Sequence, residues 1–422
     1  MNSKHKIRVG RYTAALLLMA TGILLIIDEV QGSEYMLLLL KWWPLLAIMW
    51  GLESILIYWF RRHERGIRSR LRLDIKGLSL SIILSASVFI VTQQEHYLYL
   101  WNKVSLNLTA SSVDFSEQEG RSFNKEVQEI PVSFDSENIV INNINGDIML
   151  HREAIDNIQI STEIWVDQIT GPEREAIVEQ SLLEISEGTT INIATIAKAY
   201  GQSGKRQPRM NLNIALPENR RFNLDVRTMN GNIKLKNINA IENISLESAN
   251  GKIELDNVLG NVKGKTLNGS VRIINLEGNA DIISSQGNME ATDTSGTLKL
   301  LTQVGNISVV RARSDVDIRT KNGDIYVSQS QMNLKAESLN GGITVYAYQI
   351  GGDWDIYSAV GVMSLYLPLE ANYKLNGTIA YGDIQTTIPA FTIVNKTILG
   401  TIGEGDYSIR VEGNSDLFVN SL

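Results

Sequence analysis

Cysteine is absent from this chain of 422 residues. That excludes disulfides, thiolate zinc sites and cysteine nucleophiles, and leaves packing and backbone pairing to hold the protein together. Histidine is scarce, with only His5, His63, His96 and His151, so nothing beyond residue 151 can supply a histidine base or zinc ligand. Proline is missing from residues 218 to 367, as expected where every strand uses its N–H groups. Positive charge is short over residues 102–422, which hold 27 Lys+Arg against 39 Asp+Glu, a net of −12. Residues 1–101 hold 12 against 7, a net of +5. The acidic part is poorly suited to phosphate backbones, so no nucleic-acid partner is expected.

Long apolar runs are confined to residues 1–101, where they cover 12–30, 35–60 and, more weakly, 77–92. The second is ringed by Trp and Tyr, the residues favoured at headgroup level. No small-residue cleavage site precedes it, so the first run reads as an anchor and not a removed signal. Lys4, Lys6, Arg8 and Arg11 precede the first run, and Arg61, Arg62, Arg65, Arg68, Arg70, Arg72 and Lys76 follow the second. Between the first two runs stand only Asp28, Glu29 and Glu34. The positive-inside rule then puts the N-terminus in the cytoplasm and everything after Trp101 outside. Were the third run not to span, the large domain would be cytoplasmic. Within the second run, Lys41 can snorkel, and Glu53 suits a helix–helix contact.

Residues 102–129 are polar and read as a linker or stalk. A β-rich opening segment covers 130–229, with one helix expected over about 172–183. Pro172 suits its first turn, with Ile177, Leu182 and Leu183 on one side. The stretch KAYGQSGKRQPR, 198–209, reads as an exposed, mobile loop.

From residue 230 to 422 a repeat dominates. Its turn glycines are Gly231, Gly251, Gly269, Gly287, Gly305, Gly323, Gly341, Gly361 and Gly382, at intervals of 20, 18, 18, 18, 18, 18, 20 and 21. Asn precedes glycine at 230, 250, 268, 322 and 340, which supplies a positive φ cheaply. Two residues after the glycines stand apolar side chains from Ile233 and Ile253 through Ile307, Ile325 and Ile343 to Met363 and Ile384. Four after run Leu235 to Leu365 and then Thr386; seven before run Ile244 to Trp354 and then Leu375. Positions between these columns are mostly polar. A meander would let loop lengths drift, whereas columns of like residues at one period mean coil upon parallel coil. Asparagines at one corner can then hydrogen-bond up the stack. The final residues, SIRVEGNSDLFV, repeat the texture of a coil and read as its cap.

Tyr326 lies three after its glycine, and Tyr346 and Tyr366 lie five after theirs, pointing outward in consecutive coils. With Val310 and Ile274 they suggest an apolar, aromatic strip for glycan, lipid headgroup or protein. The alternative is a tyrosine ladder that stiffens the sheet, or rings buried beneath residues 388–405. Calcium turns of the β-roll kind need an Asp after most turn glycines, and here only positions 147, 324 and 383 have one. Asp315, Asp317 and Asp324 are the nearest carboxylate cluster for glycan cleavage, and read as a solvated face.

Residues 10–60, with TGILLIID and LLLLKWWPLLAIMWGLESIL, resemble the LiaI/LiaF-like transmembrane region of bacterial envelope-stress proteins. Gly22, the Trp42-Trp43-Pro44-Leu45 step and Gly51 carry that likeness. Residues 130–422, with IALPENRRFNLDVRTMNGNIKL leading into the Asn-Gly turns, resemble the bacterial β-strand-repeat family called putative adhesins. That resemblance implies a solenoid without an established catalytic activity. The chain is therefore expected to be a membrane-anchored all-β protein: N-terminal transmembrane helices, then a parallel β-solenoid (β-helix) of 18-residue coils with one inserted helix near its start. The expected function is non-enzymatic, namely adhesion, scaffolding or surface contact in a bacterial envelope. The lipid bilayer is the expected partner, with a cell-wall component or sensor kinase beside it, and no cofactor or metal. Regulation of an envelope-stress sensor kinase through the helices is the alternative, and a glycan-active β-helix enzyme a weaker one.

Overall fold

The computed structural model describes residues 114–119 and 121–422, together with a parallel pairing of Arg8–Val9 with Arg72–Leu73. The expected transmembrane helices and the LiaI/LiaF-like stretch lie outside the described residues. Among the described residues, no helix is long and apolar enough to cross a membrane. The chain divides into units Met1–Ser105 and Leu106–Leu422, and the second holds the fold described below.

Each coil contributes one strand to a front sheet, just after its turn glycine, and one to a back sheet, just before the next. In front, Val271–Glu277, Met289–Thr294, Ile307–Ala312, Ile325–Ser330 and Ile343–Tyr346 follow one another in parallel. Ile307 faces Ile325 and Ile325 faces Ile343, so the expected interior column is real. Behind, Ile282, Leu300, Ile318, Ala336 and Ile356 stack in the same manner. Alternation sends every second side chain inward, and these columns are buried. Two strands, Ile233–Asn250 and Ile253–Asn268, run from front to back around the corner.

The turn glycines serve close approach. A Cβ on Gly305 would lie 2.1 Å from the carbonyl oxygen of Gly287, and one on Gly323 would lie 2.0 Å from that of Gly305. The same holds from Gly231 to Gly361, whether or not φ is positive. Three residues before each glycine, a buried Ser or Thr donates its hydroxyl to the glycine carbonyl of the preceding coil. Ser248, Thr266, Ser284, Thr302, Thr320, Ser338 and Ser358 do so at 2.9–3.3 Å. Asparagine ladders form at the corner as expected, with Asn268 donating to Asn250 at 2.8 Å and Asn340 to Asn322 at 2.9 Å. Six of these turn glycines, from Gly231 to Gly361, have positive φ, and non-glycine residues take it at a second corner six residues after the glycines: Asn237, Asn257, Asn275, Asp293, Arg311 and Gln329, at 53–60°. Asn tolerates that conformation better than most residues, and here Asn275 and Asn257 also form a ladder, at 2.8 Å.

Both ends depart from chain order. At the N-terminal end, the coil formed by Asn138–Asn145 and Ile148–Glu153 sits between two later segments. Asn223–Asn230 and the start of Ile233–Asn250 pair on one side, and Thr190–Ile196 and Arg209–Pro217 on the other. The glycine column therefore begins at Gly146, within the segment read as preceding the repeats. At the C-terminal end, Met363 pairs with Leu417 and Trp354 with Ile409, not with Ile384 and Leu375. The closing coil Tyr407–Gly413 and Leu417–Ser421 is slotted between the coil of Gly361 and that of Gly382. Gly382 thus leaves the glycine column; its φ is +80° and a Cβ there would meet Asp416 Oδ1. The reason lies in the side chains. Ile409, Val411, Leu417 and Val419 are fully buried between two neighbours, whereas Ile384 and Thr386 stay half-exposed at the end of the stack. The hairpin of Phe391–Val394 and Thr397–Ile402 seals that end, with Ile388, Phe391 and Ile398 in the core.

The opening segment differs from expectation in three places. Ser122–Asn124, inside the expected linker, and Gln128–Ile130, across its end, pair antiparallel with Ile158–Trp165. Helix α1, Pro172–Gln180, ends earlier than 183, because Ser181 donates its hydroxyl to the Ile177 carbonyl at 2.8 Å and Leu182–Ser186 leaves as a strand. Ile177 and Val178, not Leu182, are its buried residues. The loop read as exposed and mobile returns into the structure at Tyr200 and Arg206, both buried.

Candidate contact face

The three tyrosines lie on the front sheet. Tyr346 and Tyr366 are direct register partners whose rings stack at 4.4 Å with planes 1° apart. Tyr326 pairs with Thr344 and reaches Tyr346 diagonally, at 5.8 Å and 47°. Since Tyr346 and Tyr366 each cover one face of the other, one face of each ring is closed to a partner. Burial first, then its neighbours Tyr366 and Tyr326, raise the Tyr346 phenol above its usual value, so it stays neutral. Residues 388–405 do not cover the rings, since that hairpin seals the end of the core, and Tyr326 is 41% exposed.

Ile274 and Val310 do stand in the Tyr346 column, but Thr292 and Ser328 separate them, so there is no continuous aliphatic strip. What is continuous is the absence of charge. One outward column begins Lys234, Glu254, Arg272, Glu290 and then runs Ser308, Tyr326, Thr344, Ser364, Phe418 and Gln385. Its neighbour begins Lys236, Asp256 and then runs from Ile274 to Tyr346, Tyr366 and Asn420 without an ionisable group other than the tyrosines. Reading the outward columns for charge would have revealed this as far as Ser364. Phe418 and Asn420 could be added only once the coil order was known.

The back sheet has the opposite character. Lys263, Asp281, Lys299, Asp317, Lys335, Asp355 and Arg410 alternate in sign over successive rungs. Lys299 Nζ lies 3.6 Å from Asp281 Oδ2. Opposite charges on adjacent strands favour the register and like charges oppose a slip.

The three carboxylates weighed for glycan cleavage are engaged apart from one another. Asp317 pairs with Arg319 through two bonds of 2.7–2.8 Å, Asp324 Oδ1 accepts the Gly342 N–H at 2.8 Å, and Asp315 Oδ1 accepts Asn333 Nδ2 at 3.0 Å.

A buried ionic cluster lies at the N-terminal end, where the composition of residues 198–209 reads as a loop. Asp167, 8% exposed, accepts Arg206 Nε at 2.8 Å and Nη2 at 2.6 Å, the Tyr200 hydroxyl at 2.7 Å and the Glu117 N–H at 3.0 Å. Burial alone would raise its carboxyl, but the Arg206, Glu117 and Tyr200 hydrogen bonds outweigh it and hold it well below the usual range. Arg206 also bonds Asp114, and Asp114–Phe115 pairs with Arg206–Gln207. The cluster ties the chain entering the domain to its first coils.

Comparison with known proteins adds the family. No curated protein matches the sequence. Among solved structures, a protein described as a putative lipid binding protein from Parabacteroides distasonis shares 13% identity, covering 73% of this chain and 100% of its own, with a TM-score of 0.30. A putative adhesin from Parabacteroides merdae shares 12%, covering 60% and 100%, with a TM-score of 0.30. A putative cell adhesion protein from Clostridium sporogenes shares 11%, covering 72% and 100%, with a TM-score of 0.18. At such identities and scores these names describe those proteins alone. The Toastrack DUF4097 family model matches residues 127–417, so the chain belongs to the Toastrack family.

Proposed function

We propose that this is a non-enzymatic bacterial envelope protein that presents its β-solenoid outside the cytoplasmic membrane for adhesion, scaffolding or surface contact. The observation that carries the reading is the loss of charge across the front sheet from Ser308 to Asn420, while the back sheet keeps its alternating ladder. Contact surfaces are depleted of charge at their centre and enriched in Tyr. Asp315, Asp317 and Asp324 serve neighbouring backbone and side chains, which favours a structural over a hydrolytic role. Pairing of Arg8–Val9 with Arg72–Leu73 suits a chain that crosses the bilayer twice between them. Protease treatment of intact cells tests the reading. Cleavage of the solenoid before lysis is expected; full protection until lysis would overturn it.

A second reading rests on the likeness of residues 10–60 to envelope-stress proteins: a regulator of a sensor kinase acting through its helices. Signalling that persists after deletion of residues 130–422 would favour that reading over contact by the solenoid.

A further inference from the structure

We infer that the uncharged half of the front sheet binds a neutral polysaccharide chain, laid across successive rungs at Tyr326, Tyr346 and Tyr366. The inference rests on the contact reading above and names its ligand class. Three observations carry it.

The first is charge. Residues 102–422 are strongly acidic, and the opening coils of this same face carry Lys234, Glu254, Arg272 and Glu290. Past Ser308 both outward columns are uncharged. Several charges at the rim are engaged: Arg311 with Asp293 through bonds of 2.6 and 2.7 Å, and Asp324 and Asp416 as acceptors of backbone N–H groups at 2.8 Å. From Ser308 onward the two outward columns themselves offer an anionic polymer no cation and a basic one no carboxylate. An uncharged partner loses no ionic hydration on docking.

The second is chemistry. Thr344, Ser364 and Asn420 offer groups that both donate and accept, as sugar hydroxyls require. The tyrosines add apolar ring edges beside phenolic hydroxyls. Because Tyr346 and Tyr366 stack on one another at 4.4 Å, one face of each ring is closed and their edges and oxygens are left to a sugar.

The third is repetition. Parallel rungs recur at about 4.8 Å, so a polymer of like units can meet one rung after another in the same way. A globular partner gains nothing from that regularity. Tyr, Ser and Asn also make surfaces that bind through adaptable polar contacts.

The test is isothermal titration of the purified full chain with neutral chitin and cellulose oligosaccharides, and with a polyuronate oligosaccharide as control. At least one neutral oligosaccharide should bind and the polyuronate should not. Ser364→Glu should weaken binding by about ten-fold, as should the double change Tyr346→Ser, Tyr366→Ser. Glu337→Gln, on the back sheet, should leave it unchanged. The inference is overturned if no neutral oligosaccharide binds, if the polyuronate binds as tightly, or if the front-face variants that stay folded bind like the parent chain. It is also overturned if the parent chain is a dimer that Ser364→Glu separates, because the face then belongs to a second copy. Failure here with the solenoid still cleaved on intact cells would leave the broader contact reading standing. Full protection from protease would sink that reading whatever the sugars do.

Discussion

The middle of the solenoid and its two ends follow one pairing rule in different orders. From Ile253 to Val360 each coil lies on the coil before it in the chain, and the 18-residue spacing of the glycines records that order directly. At each end one coil is slotted inward out of chain order, and at the C-terminal end the coil left outside is the one whose Ile384 and Thr386 are half-exposed. The residues 138–153 and 407–421 are those inner coils. A repeat read along the chain therefore shows what each coil is made of. Its position in the stack is given by the strand pairing, which the spacing does not record at the ends.

The sharpest way to break that comparison is to end the chain at Asp406. In simple chain order this would remove only a cap. In this structure it exposes the coil of Gly361 and separates the coil of Tyr373–Ile379 from the stack. Losing burial of Ile409, Val411, Leu417 and Val419 should cost at least about 6 kcal/mol. Hydrogen exchange should show residues 373–386 unprotected in the truncated chain.

Gly305→Ala attacks the middle instead. Its Cβ would sit 2.1 Å from the Gly287 carbonyl oxygen, against the backbone of Gly287 and Asn288. A loss of about 3 kcal/mol or more is expected in urea unfolding.

At the N-terminal end, Asp167→Asn should cost about 3 kcal/mol by leaving Arg206 buried without its main carboxylate. The pH dependence has a definite sign. Asp167 is depressed in the folded state, so its contribution is complete above the unfolded carboxyl range near about pH 4. That stability is lost as pH falls through the lower folded range. Stability measured against pH should therefore fall less on the acid side in the variant.

Thr294→Val has the smallest expected effect and the opposite sign. Thr294 lies in an interior column between Leu276 and Ala312, and its hydroxyl is buried without a partner. Removing it should raise stability by about 1 kcal/mol, read as a higher urea midpoint.

Much of this was legible because burial writes a period into the sequence. Ile307, Ile325 and Ile343 announce their column, and the alternation of Asp281, Lys299 and Asp317 was there to be read as well. The Ser and Thr residues three before each glycine repeat as strictly, but a small polar residue gives no sign of being buried until its carbonyl partner is known. Tyr200 and Arg206 were hidden for a different reason. They sit in a glycine- and lysine-rich stretch with the composition of a loop, and their carboxylate, Asp167, lies far away in sequence. The tyrosine face was seen only in part, because Phe418 and Asn420 join it through a coil order that no spacing records.

That order can be tested directly, since a chain without cysteine gives no background. Ser364 pairs with Phe418, and Gln385 lies one rung further on. Neighbouring rungs, about 4.8 Å apart, are within disulfide reach, and rungs two apart are not. With cysteines at 364 and 418, mild oxidation should join the pair, whereas cysteines at 364 and 385 should stay free. A crosslink between 364 and 385, with none between 364 and 418, would contradict the winding and remove the face built upon it.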